Sequence, residues 1–400
     1  MPEAVIVDAV RTPLGKRNGF LADWQPADLA AETLKSLAER TSLDPELVDD
    51  VIMGCVSQVG EQTYNIGRNA VLGAGWPETV PGVTIDRQCG SSQQSVHFAA
   101  QGVMAGAYDV VVAAGVESMT RVPMGSSMLN ANPFGEKMRE RYNDQLVPQG
   151  LSAEMIAEQW SLDRAALDAI GYDSQMRALK ATEEGRFDNE IIPIEVKADG
   201  VVETMRTDQG IRPGTTIETL GSLQPAFKED GVVTAGNSSQ ITDGSAAILI
   251  MSREKADELG MTPRARFVSF SLAGTDPVTM LTGPIPATAK ALAKAGLTID
   301  DIDLFEINEA FSAQVLGVLA ACGSESWCRE HLDRDSALGT IPRDRLNVNG
   351  GAVAIGHPVG ASGARLVLTL LKEMQRRDVK RGIASLCVGG GQGAALLLER

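Results

Sequence analysis

Four hundred residues exceed the reach of one ordinary hydrophobic core, so the chain is expected to divide into two or three units. With 44% apolar and 22% charged residues the composition is that of a globular chain, which excludes disordered and fibrous classes. The 52 acidic against 36 basic residues leave a formal charge of -16, a mean field that repels nucleic acid and anionic membrane but permits a local basic groove for a phosphorylated ligand.

The N-terminus, with Ala4-Val-Ile-Val7 as a β-branched strand before Arg11-Thr-Pro13, lacks the basic and apolar regions of a secretory signal. No run reaches about eighteen uninterrupted apolar residues, so no membrane span is expected. Cys55, Cys89, Cys322, Cys328 and Cys387 form neither a disulfide framework nor a compact metal-ligand set, so free thiols, a cytoplasmic location and no metal are expected.

In chain order, helical patterns cover 26–39 and 64–72, strands cover 51–54 and 83–85, a helix follows Cys89 to Met104, and 109–115 reads as a buried strand. The region from about 120 to 245 breaks this alternation, with amphipathic or helical stretches at 152–160 and 164–184 and turns at Asp199-Gly200, Arg212-Pro-Gly214 and Asp230-Gly231. It reads as a substrate-covering excursion. A buried strand resumes at 243–251. Helices then follow at 288–294, 310–321 and 361–375, and strands at 303–305, 382–386 and 394–398. The 325–341 stretch, with Cys328 and His331, reads as a surface excursion. Repeated alternation of strand and helix predicts a layered α/β fold.

One register recurs. Cys89 to Gly115 and Ala361 to Cys387 each span 26 residues and each join a helix start to a following strand end. This suggests two related halves, with Cys89 at a helix start of one and Cys387 at a strand end of the other, able to meet where the halves join.

Cys89, in Asp86-Arg-Gln-Cys-Gly-Ser-Ser92, precedes a helix whose partial positive end favours a nucleophilic thiolate. The alternative is a buried thiol packed in a strand-to-helix turn. His357, in Gly356-His-Pro358, suits a proton acceptor for a thiol, or a structural imidazole in a turn. Cys387, in Cys387-Val-Gly-Gly-Gly391, suits proton exchange at carbon, or an apolar strand terminus. In Glu306-Ile-Asn-Glu-Ala-Phe311, Asn308 can hold a water or donate to an oxyanion, and Glu309 can orient a histidine or cap a helix. Ala310 and Phe311 suit either an acyl or pantetheine wall or ordinary core. His97, eight residues past Cys89, is read as structural.

Together Cys89, Asn308-Glu-Ala-Phe311, Asn349-Gly-Gly351, Gly356-His-Pro358 and Cys387-Val-Gly-Gly-Gly-Gln-Gly393 resemble the thiolase family over essentially the whole chain. The resemblance implies a five-layer αβαβα core from two similar halves with an inserted loop domain. It divides the chain into an N-terminal half at 1–120 and 245–272, a CoA-binding loop domain at 121–244 and a C-terminal half at 273–400. It also implies a Cys89 acyl-enzyme formed with His357 as base and Cys387 as acid and base at the α-carbon. One oxyanion hole comes from His357 and a water on Asn308, the other from the N–H groups of Cys89 and Gly389. Arg212, Thr219, Phe227 and Ser239 are implied along the CoA path, with Ala310 and Phe311 beside it. CoA is then substrate or product, together with acyl-CoA and acetyl-CoA, and no cofactor is permanently bound.

Cys89-Gly-Ser-Ser92 replaces the common Cys-Ala-Ser-Gly, and Pro148-Gln149 stands where a His-Met pair often flanks a short-chain pocket. Asp86 to Gln94 is more similar to thiolases of actinobacterial lipid and steroid side-chain degradation. The expectation is a degradative 3-ketoacyl-CoA thiolase. The rivals are a biosynthetic acetyl-CoA acetyltransferase and a non-enzymatic lipid carrier or scaffold. Gln58 to Arg68 resembles the segment through which thiolase subunits pair, which implies a homodimer or homotetramer.

Overall fold

The computed structural model describes residues 2–198 and 200–400. Asp199, in one of the expected turns, lies outside the described residues. Strands β1 (Ala4–Arg11), β2 (Gly15–Lys16), β3 (Asp50–Gly54), β4 (Gly82–Ile85) and β5 (Val110–Ser118) come first. After them β6 (Ile194–Ala198) and β7 (Val201–Met205) form a separate antiparallel pair. Then come β8 (Thr242–Ser252), β9 (Ala265–Gly274), β10 (Leu304–Ile307), β11 (Arg381–Val388) and β12 (Gln392–Glu399).

The main sheet runs β10-β11-β12-β9-β1-β8-β5-β3-β4. Its centre is thin, because β1 meets β9 only at Val5 with Arg266 and Ile6 with Ala265. On either side the same plan repeats. β4, β3 and β5 are parallel, with β8 and β1 added antiparallel. β10 and β11 are parallel, with β12 and β9 added antiparallel. Leu346 bridges Phe305 of β10 in parallel, the place β4 takes beside β3.

Three apolar clusters define five layers. Val5, Val7 and Val10 of β1 face the helices Pro26–Thr41 and Ile66–Gly73 through Leu29, Leu34, Ile66 and Val71. Ala4, Ile6 and Ala9 face a middle layer made by helices Ser91–Met104 and Ser362–Arg377, which also covers Leu386 and Leu396 of the second half. The opposite face of that half, with Phe305 and Leu397, packs under helices Pro284–Ala295 and Ser312–Gly323. A bulge between Ile6 and Asp8 shifts the parity of β1, which is how Ile6 and Ala9 share a face. Each fully buried leucine in these layers, such as Leu34 or Leu366, contributes about 1.5–3 kcal/mol.

Two expectations change. The 325–341 stretch opens with a helix, Glu325–Leu332, whose Cys328 is buried in the outer core and donates its thiol to Ala321 O at 3.4 Å. It is therefore packed structure on one face. The strand β9 was not foreseen; its pairing with β12 runs from Arg266 to Gly274.

The middle region is tied down by a buried charge cluster. Arg11 at the end of β1 makes a two-point bond to Asp208 at 2.7 and 2.9 Å and another to Glu190 at 2.7 Å. Removing one partner from such a buried group costs about 3–5 kcal/mol, because the other charge is left desolvated.

Candidate active site

The turn carrying Cys89 is fixed locally. Gln88 adopts φ +46°, a left-handed conformation costly for a side chain of this size, and it is braced on both sides. Asp86 accepts from Gln88 N at 2.6 Å, while the Ser91 hydroxyl donates to Gln88 O at 2.6 Å and accepts from Arg87 N at 2.9 Å. The helix Ser91–Met104 then begins against the facing helix, where Ser92 Oγ accepts from Ala364 N at 2.9 Å.

The two halves meet reciprocally at this point. A β-carbon added at Gly90 would lie 2.7 Å from Val388 Cγ2, and one added at Gly115 would lie 2.3 Å from Gly360 O. The helix start of each half thus abuts the strand end of the other, bringing Cys89 beside Cys387. Both thiols are buried, and the negative charge of one raises the pKa of the other. Burial raises the Cys89 thiol to about 11 despite hydrogen bonds from the Gln149 side chain and from the N–H groups of Cys89 and Gly389. Burial, and next the charge on Cys89, push Cys387 up, so it rests as a thiol.

His357 follows the short helix Ala352–Ile355. Gly356 takes φ +107° with its α-carbon against Thr242, so close that a β-carbon would lie 2.2 Å from Thr242 Cγ2; only glycine fits. Asn308, at the end of β10, places Nδ2 3.3 Å from His357 Nε2, and Ser362 Oγ lies 2.5 Å from His357 Nδ1. Burial, and then the Arg365 charge, push the imidazole down to about 3, so it is neutral above the acid range.

Glu309 does not orient this imidazole. Its carboxylate accepts from Ser174 Oγ at 2.6 Å, Asn347 Nδ2 at 3.1 Å and Val353 N at 3.2 Å, holding the asparagine-glycine turn to helix Arg164–Glu183. Ser362 contacts the ring instead. Its place five residues after His357 was the only available signal. Gln149 was expected beside the acyl pocket from its place in Pro148-Gln149, and it lines one cavity with Cys89.

Cys89 and Gly389 line a cavity of about 470 Å³ whose walls include Met119, Met124, Met128, Phe134, Met280 and Gln149. Glu117 braces its rim by accepting from Val56 N at 2.9 Å and Ser57 N at 3.1 Å. Arg212 and Thr219 line a second cavity, also of about 470 Å³. Phe227 meets Phe311 edge-on at 5.9 Å, and Ser239 N donates to Ala310 O at 3.0 Å. Ala310 and Phe311 pack in one cluster with Cys387. The structure therefore gathers Cys89, Gly389 and Cys387 at the join of the halves and pairs His357 with Asn308. Arg212 and Thr219 lie on a separate cavity.

The sequence matches the thiolase N-terminal domain over residues 4–254 and the thiolase C-terminal domain over 261–400. The chain belongs to the thiolase family. This thiolase is similar to the steroid 3-ketoacyl-CoA thiolase FadA6 of Mycobacterium tuberculosis, with 44% identity covering 100% of this chain and 95% of that protein. It is also similar to an acetyl-CoA acetyltransferase of Thiocystis violacea, with 45% identity over 99% of this chain and 98% of the relative. The crystal structure of the Bacillus anthracis acetyl-CoA acetyltransferase superposes with a TM-score of 0.87 at 40% identity, covering 100% of this thiolase and 99% of that chain. Among the described residues, no helix is long and apolar enough to cross a membrane.

Proposed function

We propose that this thiolase cleaves 3-ketoacyl-CoA with CoA to give acetyl-CoA and a shortened acyl-CoA. The observation that carries this reading is the placement of the Cys89 thiol at the join of the two halves, beside Cys387 and on the wall of an apolar cavity that Gly389 and Gln149 also line. In the cleavage direction Cys89 attacks the 3-keto carbon as its proton passes to His357. The bond between the second and third carbons then breaks, and Cys387 gives a proton to the acetyl-CoA carbanion. CoA releases the acyl group from Cys89 in the second half-reaction. His357 with a water on Asn308 stabilises the enolate oxygen, and the N–H groups of Cys89 and Gly389 stabilise the thioester oxygen.

A neutral imidazole suits the first proton transfer, and a protonated thiol at Cys387 suits the second. Arg212 takes the nucleotide end of CoA, with Thr219, Phe227 and Ser239 along the adenosine and pantetheine path and Ala310 and Phe311 as an acyl or pantetheine wall. The methionine-lined cavity favours an acyl group longer or bulkier than acetyl, because unbranched thioethers adapt to irregular apolar shapes. Acetoacetyl-CoA synthesis is the second reading, favoured by the likeness to acetyl-CoA acetyltransferases.

Turnover on short, long and steroid-side-chain 3-ketoacyl-CoAs, with mass detection of the Cys89 adduct, tests both readings. Preference for acetoacetyl-CoA overturns the longer substrate. Absence of an adduct on Cys89, or unchanged turnover in Cys89→Ser, overturns the mechanism.

The protein associates with itself through the 58–68 segment and β4. The edge strand β4 has β3 as its one described partner, Asn65 Nδ2 braces it by donating to Gly82 O at 2.8 Å, and Tyr64, Leu72, Val83 and Phe98 are exposed nearby. Light scattering that finds only monomer at active concentrations sinks this reading. A cytoplasmic location fits five buried free thiols. The loop domain spans 121–244 between an N-terminal half at 1–120 with 245–272 and a C-terminal half at 273–400, except that β9, paired with β12 from Arg266 to Gly274, carries 265–272 into the C-terminal half.

A further inference from the structure

His357 and Asn308 sit within a chain of hydrogen bonds whose direction is set from both ends. At one end Arg365, fully buried, approaches Asn308 Oδ1 and Glu306 Oε2, each at 3.4 Å. A guanidinium only donates, so Asn308 turns its oxygen toward Arg365 and its NH₂ toward His357. The contact between Asn308 Nδ2 and His357 Nε2 at 3.3 Å then requires Nε2 to accept. At the other end the Ser362 hydroxyl donates to Pro358 O at 2.9 Å, which leaves its lone pairs for the imidazole. The 2.5 Å contact to His357 Nδ1 is therefore an Nδ1–H donating to Ser362 Oγ. The opposite tautomer would set Nε2–H against the Asn308 NH₂, two donors facing each other. Turning the Asn308 amide to avoid this would set its NH₂ against Arg365. One assignment leaves no donor facing a donor along the contacts from Arg365 through Asn308 and His357 to Ser362.

We infer that Ser362 and Arg365 are positioning residues that fix the polarity of His357 and Asn308 from opposite ends, holding His357 as the Nδ1–H tautomer with its lone pair on Nε2. This rests on the reading of His357 as the acceptor of the Cys89 proton, and it adds a consequence for the oxyanion site. When the thiol S–H breaks, its electron pair stays on sulfur and its proton goes to Nε2. Nε2 then no longer accepts from Asn308. The Asn308 NH₂ is released at the moment Nε2–H becomes a donor, so Nε2–H and the water on Asn308 turn to a developing oxygen together. The resting hydrogen bond thus keeps two donors in place, with one partner already satisfied, until the chemistry needs them.

The full chain has three histidines, so nitrogen-15 imidazole spectra are sparse and are assigned with His97→Phe and His331→Gln. At pH 8 the wild-type His357 is expected to show a protonated Nδ1 and an unprotonated Nε2; a protonated Nε2 overturns the inference without any variant. Ser362→Ala should shift His357 toward the Nε2–H tautomer and slow Cys89 acylation by about 10- to 100-fold, the range seen when partners orienting a metal-bound imidazole are removed. Ser362→Thr should restore both. Folded Ser362→Ala with wild-type tautomer and rate rejects the role of Ser362. Arg365→Met combined with Glu306→Leu removes both members of the direct ion pair together; it should lower kcat with little change in KM, and unchanged kcat in the folded variant rejects the role of Arg365. His357→Ala that still acylates at the wild-type rate would remove the base assignment while leaving the tautomer result standing.

Discussion

Gly115 of β5 lies against Gly360 so tightly that a β-carbon on Gly115 would sit 2.3 Å from Gly360 O and 2.5 Å from Ser92 Cβ. The contact braces the turn that carries His357 against the strand end of the other half. Gly115→Ala has backbone on one side and a buried helix on the other, so the turn must move. The expected outcome is a loss of about 1–3 kcal/mol from overpacking and a fall in kcat larger than the change in KM, read by denaturant unfolding and steady-state kinetics. Wild-type stability would show that the join of the halves is looser than this geometry.

The acidity of Cys89 yields a second prediction. Burial raises its thiol to about 11, above the ordinary value near 9. Because the acid form is favoured, the thiolate fraction rises about tenfold per pH unit up to that point. Alkylation by iodoacetamide, followed by mass spectrometry at Cys89, should climb through pH 9 and level only near 11. A plateau below pH 8 would mean a preformed thiolate and imidazolium pair, which a His357 pKa near 3 opposes.

Gln149 lowers the Cys89 pKa more than either N–H group does. Gln149→Leu removes a hydrogen bond to a developing thiolate, worth about 1.5–3 kcal/mol. Alkylation and acylation at pH 8 should slow by about tenfold or more, with little change in unfolding temperature. Equal rates would show that the two backbone donors suffice.

Much of this was legible because the patterns are strong. The 26-residue register pointed to the meeting of Cys89 and Cys387, since in each half a helix start is followed at the same interval by the later part of a strand. β9 escaped because its polarity is inverted: its buried positions include Ser269 and Ser271, which donate to Ala291 O and Ala287 O, while Val268, Phe270 and Leu272 lie on the less buried face. Helical carbonyls satisfy those serines, and nothing in the local alternation announces it. The Arg11 and Asp208 pair and the roles of Ser362 and Arg365 depend on long-range packing or on the direction of hydrogen bonds, which spacing does not encode.

His97 bears out its structural reading in a way that predicts acid sensitivity. It is buried, stacks on Phe270 at 5.4 Å, and its Nε2 has no hydrogen-bond partner among the described residues. Burial, then the charges of Arg87 and Lys294, push it down to about 3 from an ordinary 6.5. The folded state therefore refuses a proton that the unfolded chain accepts between those values. Stability from this group is intact above pH 6.5 and falls as pH drops toward 3, by at most about 1.4 kcal/mol per pH unit. His97→Phe keeps the ring stack and removes the titration. Urea unfolding at pH 7.5, 5.5 and 4.5 should show the variant gaining on the wild type as pH falls, while the buried glutamates, common to both proteins, cancel in the difference. Parallel pH profiles would mean that His97 takes up its proton without unfolding.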